Sequence, residues 1–327
     1  MRSGAVGDEN VVSGLGNKAA GDKNNVTGTD NKVIGDNNQV SGKDNLALGD
    51  KATIKGENNT VTGKLNNVTG KDNYVAGRAN TNVGKSSITA GLYNKVKGDN
   101  NITDGRTNKV EGDLNLASGR SNKINGNTNI TAGIENVVTG HDNIADGRKN
   151  EVKGDLNVAT GRTNKIDGKG NLVSGIVNKA TGEANIVDGI DNKVKGNYNI
   201  ADGRTNEVTG DYNTVDGRTN KVTGKLNVAS GRSNEVNGSN NSVTGIINKV
   251  TGEANIVDGI ENTIKGNDNI ASGKNNIIKG NNSTSYGRNN EINSTDGTAV
   301  GNDNKVTGDN SLAMGIGNTV KGSSSTV

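Results

Sequence analysis

The sequence predicts an all-β fold, a parallel β-solenoid with 14 residues per coil. Three observations carry the prediction: Gly recurs every seven residues, Asn stands three places after each Gly, and a small apolar residue stands five places after it. Every multiple of seven from Gly7 to Gly322 is Gly except Ser294, which makes 45 of 46 such positions and 45 of the 50 glycines. Asn fills 40 of the 47 third positions. Val, Ile or Ala fills 42 of the 47 fifth positions, with Asn82, Thr89, Thr103, Thr131 and Ser285 as the exceptions. The unit reads x-x-N-x-[VIA]-x-G.

The strand is the first element of each unit. Residues three and five places after Gly share one side of an extended chain, because side chains alternate with period two. The fifth is apolar and is expected inside; the fourth and sixth are mostly polar and are expected outside. Gly is the corner, where an unusual backbone angle costs nothing without a Cβ. The expected corner set includes Gly105, Gly112 and Gly119, with Asn108, Asn115 and Asn122 beside them. Asn tolerates similar angles, bonds turn backbone, and can form amide ladders when it repeats at one lattice site.

Two such halves make a coil. From Lys95 to Lys305, in steps of 14, the fourth position is Lys or Glu at 13 of 16 sites. The alternate register, from Ile88 to Leu312, is Ile, Leu or Val at 13 of 17. One outer face is therefore charged. The other carries an apolar row: Leu116, Ile130, Ile144, Val158, Leu172, Ile186, Ile200, Val228, Ile256 and Ile270. About 23 coils at roughly 4.8 Å each would make a rod on the order of 110 Å long. Residues 1–327 are expected to form a single continuous solenoid, less regular at 1–90 and 283–327. Glu183–Ile190 recurs as Glu253–Ile260, five coils later, as a block duplication would leave it.

Rival architectures fail on the same residues. A composition of 28% hydrophobic residues with no Pro, Cys, Trp or Phe suggests disorder by itself. Disordered sequence would not hold one phase over more than forty units. A heptad coiled coil would carry Gly in every heptad at about 1 kcal/mol each relative to Ala. Collagen needs Gly at every third residue.

Composition also limits chemistry. Without Cys there is no disulfide scaffold and no thiolate zinc site. His141 is the one His and is expected at a solvated outer corner. The nonapeptide rhythm of calcium-binding solenoids is missing. Nothing pairs a nucleophile with a base, so no enzyme activity and no cofactor are expected. The formal net charge of +3 and five Tyr argue against nucleic acid. No apolar run is long enough to span a membrane. The Asp-Gly-Arg units at Asp104–Arg106, Asp146–Arg148, Asp202–Arg204 and Asp216–Arg218 are read as corners flanked by solvated charges. The apolar row is read as a self-association seam, because an extended exposed apolar strip is a contact surface.

The repeat resembles two families. Gly301-Asn-Asp-Asn-Lys-Val-Thr-Gly-Asp-Asn-Ser-Leu-Ala-Met-Gly315 is similar to one coil of the head region of trimeric autotransporter adhesins, with Asn304, Val306, Ser311 and Ala313 in the expected places. That resemblance implies a left-handed β-roll that trimerises through one apolar face. The x-x-N-x-V-x-G unit, as in Asn59-Thr-Val-Thr-Gly63, is also similar to the ice-binding proteins of grasses. Ice binding requires a flat face of small, regularly spaced Thr or Ser. Thr60-Val61-Thr62 has this character, but Tyr74-Val75-Ala76 follows it in the next coil. The expectation is a non-enzymatic, extracellular or cell-surface adhesive module that forms homo-oligomers, with a matrix, glycan or cell-surface ligand as its partner. A self-assembling filament subunit and an ice-binding protein are the alternatives.

Overall fold

The computed structural model describes residues 2–327, and the chain divides into two compact units, residues 1–163 and 164–327. Each unit is a two-sheet parallel β-solenoid in which every strand pairs with the strand 14 residues on. In the first unit, sheet A runs from Gly4–Val6 to Val158–Arg162, and sheet B from Val11–Leu15 to Glu151–Lys153. In the second, sheet B runs from Lys165–Lys169 to Thr319–Val320, and sheet A from Leu172–Val173 to Leu312–Ile316. The register is strict: Ile130 lies against Ile144 and Ile144 against Val158, while on the other sheet Glu207 lies against Lys221. Residues 1–90 share this lattice from the start, since Gly4 already pairs with Lys18.

The period-two pattern places its residues as expected. Fifth-position side chains are inside, and the two sheets differ in size there. Sheet B contributes Val26, Val40, Ile54 and Val68, and sheet A contributes Ala19, Val33, Ala47 and Val61, all at most 4% exposed. The space between sheets is thus one aliphatic layer, which explains a stable core without rings.

Five inward positions break that layer with polar groups. Asn82, Thr89, Thr103, Thr131 and Ser285 are fully buried. The Asn82 amide donates to Thr89 Oγ1 at 3.1 Å. The Asn82 carbonyl oxygen and the hydroxyls of Thr103, Thr131 and Ser285 have no hydrogen-bond partner.

Candidate functional site

The corners explain the invariance of Gly and Asn. Gly105, Gly112 and Gly119 have φ of 110°, 117° and 100°, where an L side chain is strained. Space forbids a side chain as well. A Cβ on Gly105 would collide with the carbonyl oxygen of Gly119, one turn later. At Gly280, Ser294 and Gly308 the backbone leaves this region of φ, and Ser294 is tolerated there.

Asn108, Asn115 and Asn122 are buried inside the corner. Their amides knit the turns together. Asn115 donates from Nδ2 to Asn101 Oδ1 at 3.1 Å and to the Gly126 carbonyl at 2.8 Å. The backbone N–H of Asn115 donates to the same Asn101 Oδ1 at 2.9 Å. Asn122 and Asn108 repeat the bond to the glycine of the next turn, at Gly133 and Gly119.

The residue with left-handed backbone is the one before Asn. Glu9, Asp142, Val177, Tyr198 and Ile247 all have φ between 52° and 63°. The repeat gives no sign of this, because residues of every type occupy the position.

The apolar row lies where the period placed it, outermost on sheet A. Leu116, Ile130 and Ile144 line up in the first unit, with Val158 next to Ile144. Leu172, Ile186 and Ile200 line up in the second; Val228 and Ile256 follow across Thr214 and Ser242, and Ile270 pairs with Ile256. These side chains are half-buried by their neighbours in the column. Ile144 remains 38% exposed and Ile256 53%. The Asp-Gly-Arg units end the sheet A strands, with Asp104, Asp146, Arg106 and Arg148 exposed.

A row of acceptors runs along the corner that leads into sheet A. Asp113 accepts the backbone N–H of Asp99 at 2.7 Å, and Asp155 that of His141 at 2.8 Å. His141 is exposed, and it is also a rung of this ladder, since its Nδ1 accepts the Asn127 backbone N–H at 3.2 Å.

Sheet B changes character along the chain. From residue 95 onward it is charged, with cross-turn pairs such as Lys249–Glu235 at 3.1 Å and Lys305–Glu291 at 2.9 Å. The hydrogen bond and charge of Lys109 hold the Glu111 carboxyl below its usual range, and Lys305 does the same for Glu291. In the first six turns two adjacent outer columns of sheet B are almost uncharged, beside a third at the strand ends that carries Lys43, Glu57, Lys71 and Lys85. One column there is Val11, Asn25, Gln39, Thr53, Asn67 and Thr81; the other is Ser13, Thr27, Ser41, Lys55, Thr69 and Val83. A shallow trough lined by Asn25, Thr27, Gln39, Ser41, Thr53 and Lys55 runs between them.

This strip lies apart from the coils weighed for ice binding in the sequence, Thr60–Thr62 and Tyr74–Ala76, which are both on sheet A. It went unnoticed because Thr60-Val61-Thr62, the visible signal, lies on the opposite sheet. The sign that could have revealed it was the absence of Lys and Glu at these fourth positions before Lys95.

Among the described residues, no group of three or more acidic, His or Cys side chains is placed to hold a metal ion. A family profile described as the grass antifreeze beta roll matches residues 1–91, 88–189 and 179–269. No individual curated protein matches the sequence.

Proposed function

The chain belongs to the grass antifreeze beta roll family, and from that premise we propose that it binds ice through the two nearly uncharged outer columns of sheet B in its first six turns. The observation that carries this reading is the double column of hydroxyls and amides at Asn25, Thr27, Gln39, Ser41, Thr53, Asn67 and Thr69, held in strict register.

The physical argument starts from the lattice. Neighbouring turns are about 4.8 Å apart, and residues two apart in a strand are roughly 6.6 Å apart. The face therefore presents a rectangular grid of small hydrogen-bonding groups. A crystal surface is itself a grid, so many weak contacts can be made together once one is in register. Thr suits the task because its hydroxyl bonds water while its methyl keeps the face apolar, and its stiff χ1 limits the entropy lost on binding. Dense charge would hold water in ion-centred shells, and Lys55 is the single charge in these two columns.

The function requires no catalytic group, in keeping with the family. The family match supports ice binding over the adhesive-head reading. We propose an extracellular location, where such a face would meet growing ice.

An ice-recrystallisation assay tests the reading. Thr27→Tyr combined with Thr69→Tyr should lower potency at least tenfold. The same change at Thr209 and Thr223, on the charged part of sheet B, should leave it unaltered. Equal effects at both places would defeat the assignment of this face.

A further inference from the structure

Sheet A of the first unit is polarised across its width. Between residues 99 and 162 four of the five turns cross the face in one order; the Ile130 turn carries Asn127 and Thr128 before the strand and Ile134 and Glu135 after it. The corner that leads into the strand is acidic, at Asp99, Asp113, Asp142 and Asp155. The apolar column comes next, at Ile102, Leu116, Ile130, Ile144 and Val158. Two residues further on stand small side chains: Asp104, Ser118, Ala132, Asp146 and Thr160. The corner that leaves the strand is basic, at Arg106, Arg120, Arg148 and Arg162, all exposed. None of these four Arg has an ion-pair partner among the described residues.

We propose that this face docks a second copy of the same chain as a parallel two-fold dimer. The operator is an axis that runs along the columns, between the apolar and the small one. Rotation about it carries each edge of the face onto the opposite edge. The acidic corner of one copy then lies over the basic corner of the other, at both margins. In the middle, each apolar column lies over the partner's small column, so large side chains meet small ones. The turn spacing is the same in both copies, about 4.8 Å, so the match persists from turn to turn.

The alternative face-to-face arrangement has its axis across the columns. It sets acid on acid and base on base, which costs energy at the four turns that carry both corner charges. Charge order therefore selects the parallel dimer, and the two-fold closes it.

The contact is small. Five turns at about 4.8 Å, across a face roughly 20 Å wide, cover less than the ~800 Å² per partner of a standard interface. Asp104 and Asp146 also face the partner's apolar column. A contact of this size, with those two carboxylates in it, makes a weak and reversible dimer. It is independent of ice binding, which uses the other sheet.

Sedimentation of the full chain, from sub-micromolar to high-micromolar concentration, should show a monomer–dimer equilibrium. Ile130→Lys with Ile144→Lys should weaken it at least tenfold. The lattice accepts Lys in this column, as Lys18 and Lys32 show, and an unchanged circular-dichroism spectrum would verify the fold. Arg106→Glu, Arg120→Glu and Arg148→Glu together should weaken it similarly.

Orientation has its own readout, because the chain contains no Cys. Spin labels at Ala79→Cys and, in a separate protein, at Ser121→Cys lie three turns apart on one corner. A parallel dimer gives both the same label-to-label separation, whereas an antiparallel one gives separations that differ. A chain that stays monomeric throughout, a dimer indifferent to either set of substitutions, or unequal separations would each overturn the proposal.

Discussion

Single residues in this protein are under demands that their type reveals unequally. Gly147 has φ of 109°, and a Cβ there would meet the Gly161 carbonyl. Gly147→Ala should therefore destabilise by about 2–4 kcal/mol, beyond the ordinary cost of a strained φ, as measured by denaturant unfolding. The position before Asn makes the opposite demand. Ile247 is β-branched with φ of 60° and is 49% exposed. Ile247→Asn, which tolerates left-handed angles, should leave stability within about 1 kcal/mol of the parent, since the strain it relieves offsets the half-buried side chain it removes. Thr131 is fully buried, and its hydroxyl has no partner. Thr131→Val has nearly the same shape and should stabilise by about 1–2 kcal/mol, read as a higher unfolding midpoint. The first of these three effects was legible in the sequence as invariance. The second was not, because left-handed geometry at this position is imposed by the lattice on whatever residue occupies it.

At the scale of the strand, inside and outside were legible and the function of each outside was not. Alternation in Lys165-Ile166-Asp167 or Ile144-Ala145-Asp146 says which side chains enter the core. It does not say which outer columns form one face. The apolar row was visible because it repeats one chemical character every 14 residues. The uncharged columns of sheet B mix Asn, Gln, Thr and Ser, so no single residue type marks them; they become a surface only when Asn25, Gln39, Thr53 and Asn67 are stacked in register. Placing charge in that stack is the sharpest element-scale test. Ser41→Lys, which adds a second cation beside Lys55, should reduce ice-recrystallisation inhibition several-fold while leaving thermal unfolding within about 0.5 kcal/mol of the parent.

For the whole molecule the relevant property is that each turn contacts only its neighbours, so stability is roughly a sum over turns and their interfaces. Deletion of one full turn, residues 204–217, should leave a folded protein with slightly lower stability. Deletion of half a turn, residues 204–210, keeps the Gly and Asn spacing but exchanges the two sheets beyond the cut. It would place Lys columns against Ile columns and Val layers against Ala layers at the junction. A markedly lower or biphasic melting curve for the half-turn deletion alone is the expected result; equal melting of both deletions would show that the two halves are interchangeable.

On residues alone the sequence resembles two families and favours the adhesive reading over ice binding, but by itself it determined the lattice: its seven-residue corners, its 14-residue turn and its thin aliphatic core. It could do so because every turn repeats the same local requirement, and a requirement repeated more than forty times is legible without coordinates. Only the tertiary structure decided which outer columns share a face, and so where the nearly uncharged columns of Asn25–Thr69 and the acid-to-base gradient across sheet A lie. Those surfaces arise from residues 14 apart that become neighbours when the turns stack, and stacking brings together chemistries that no single repeat unit contains.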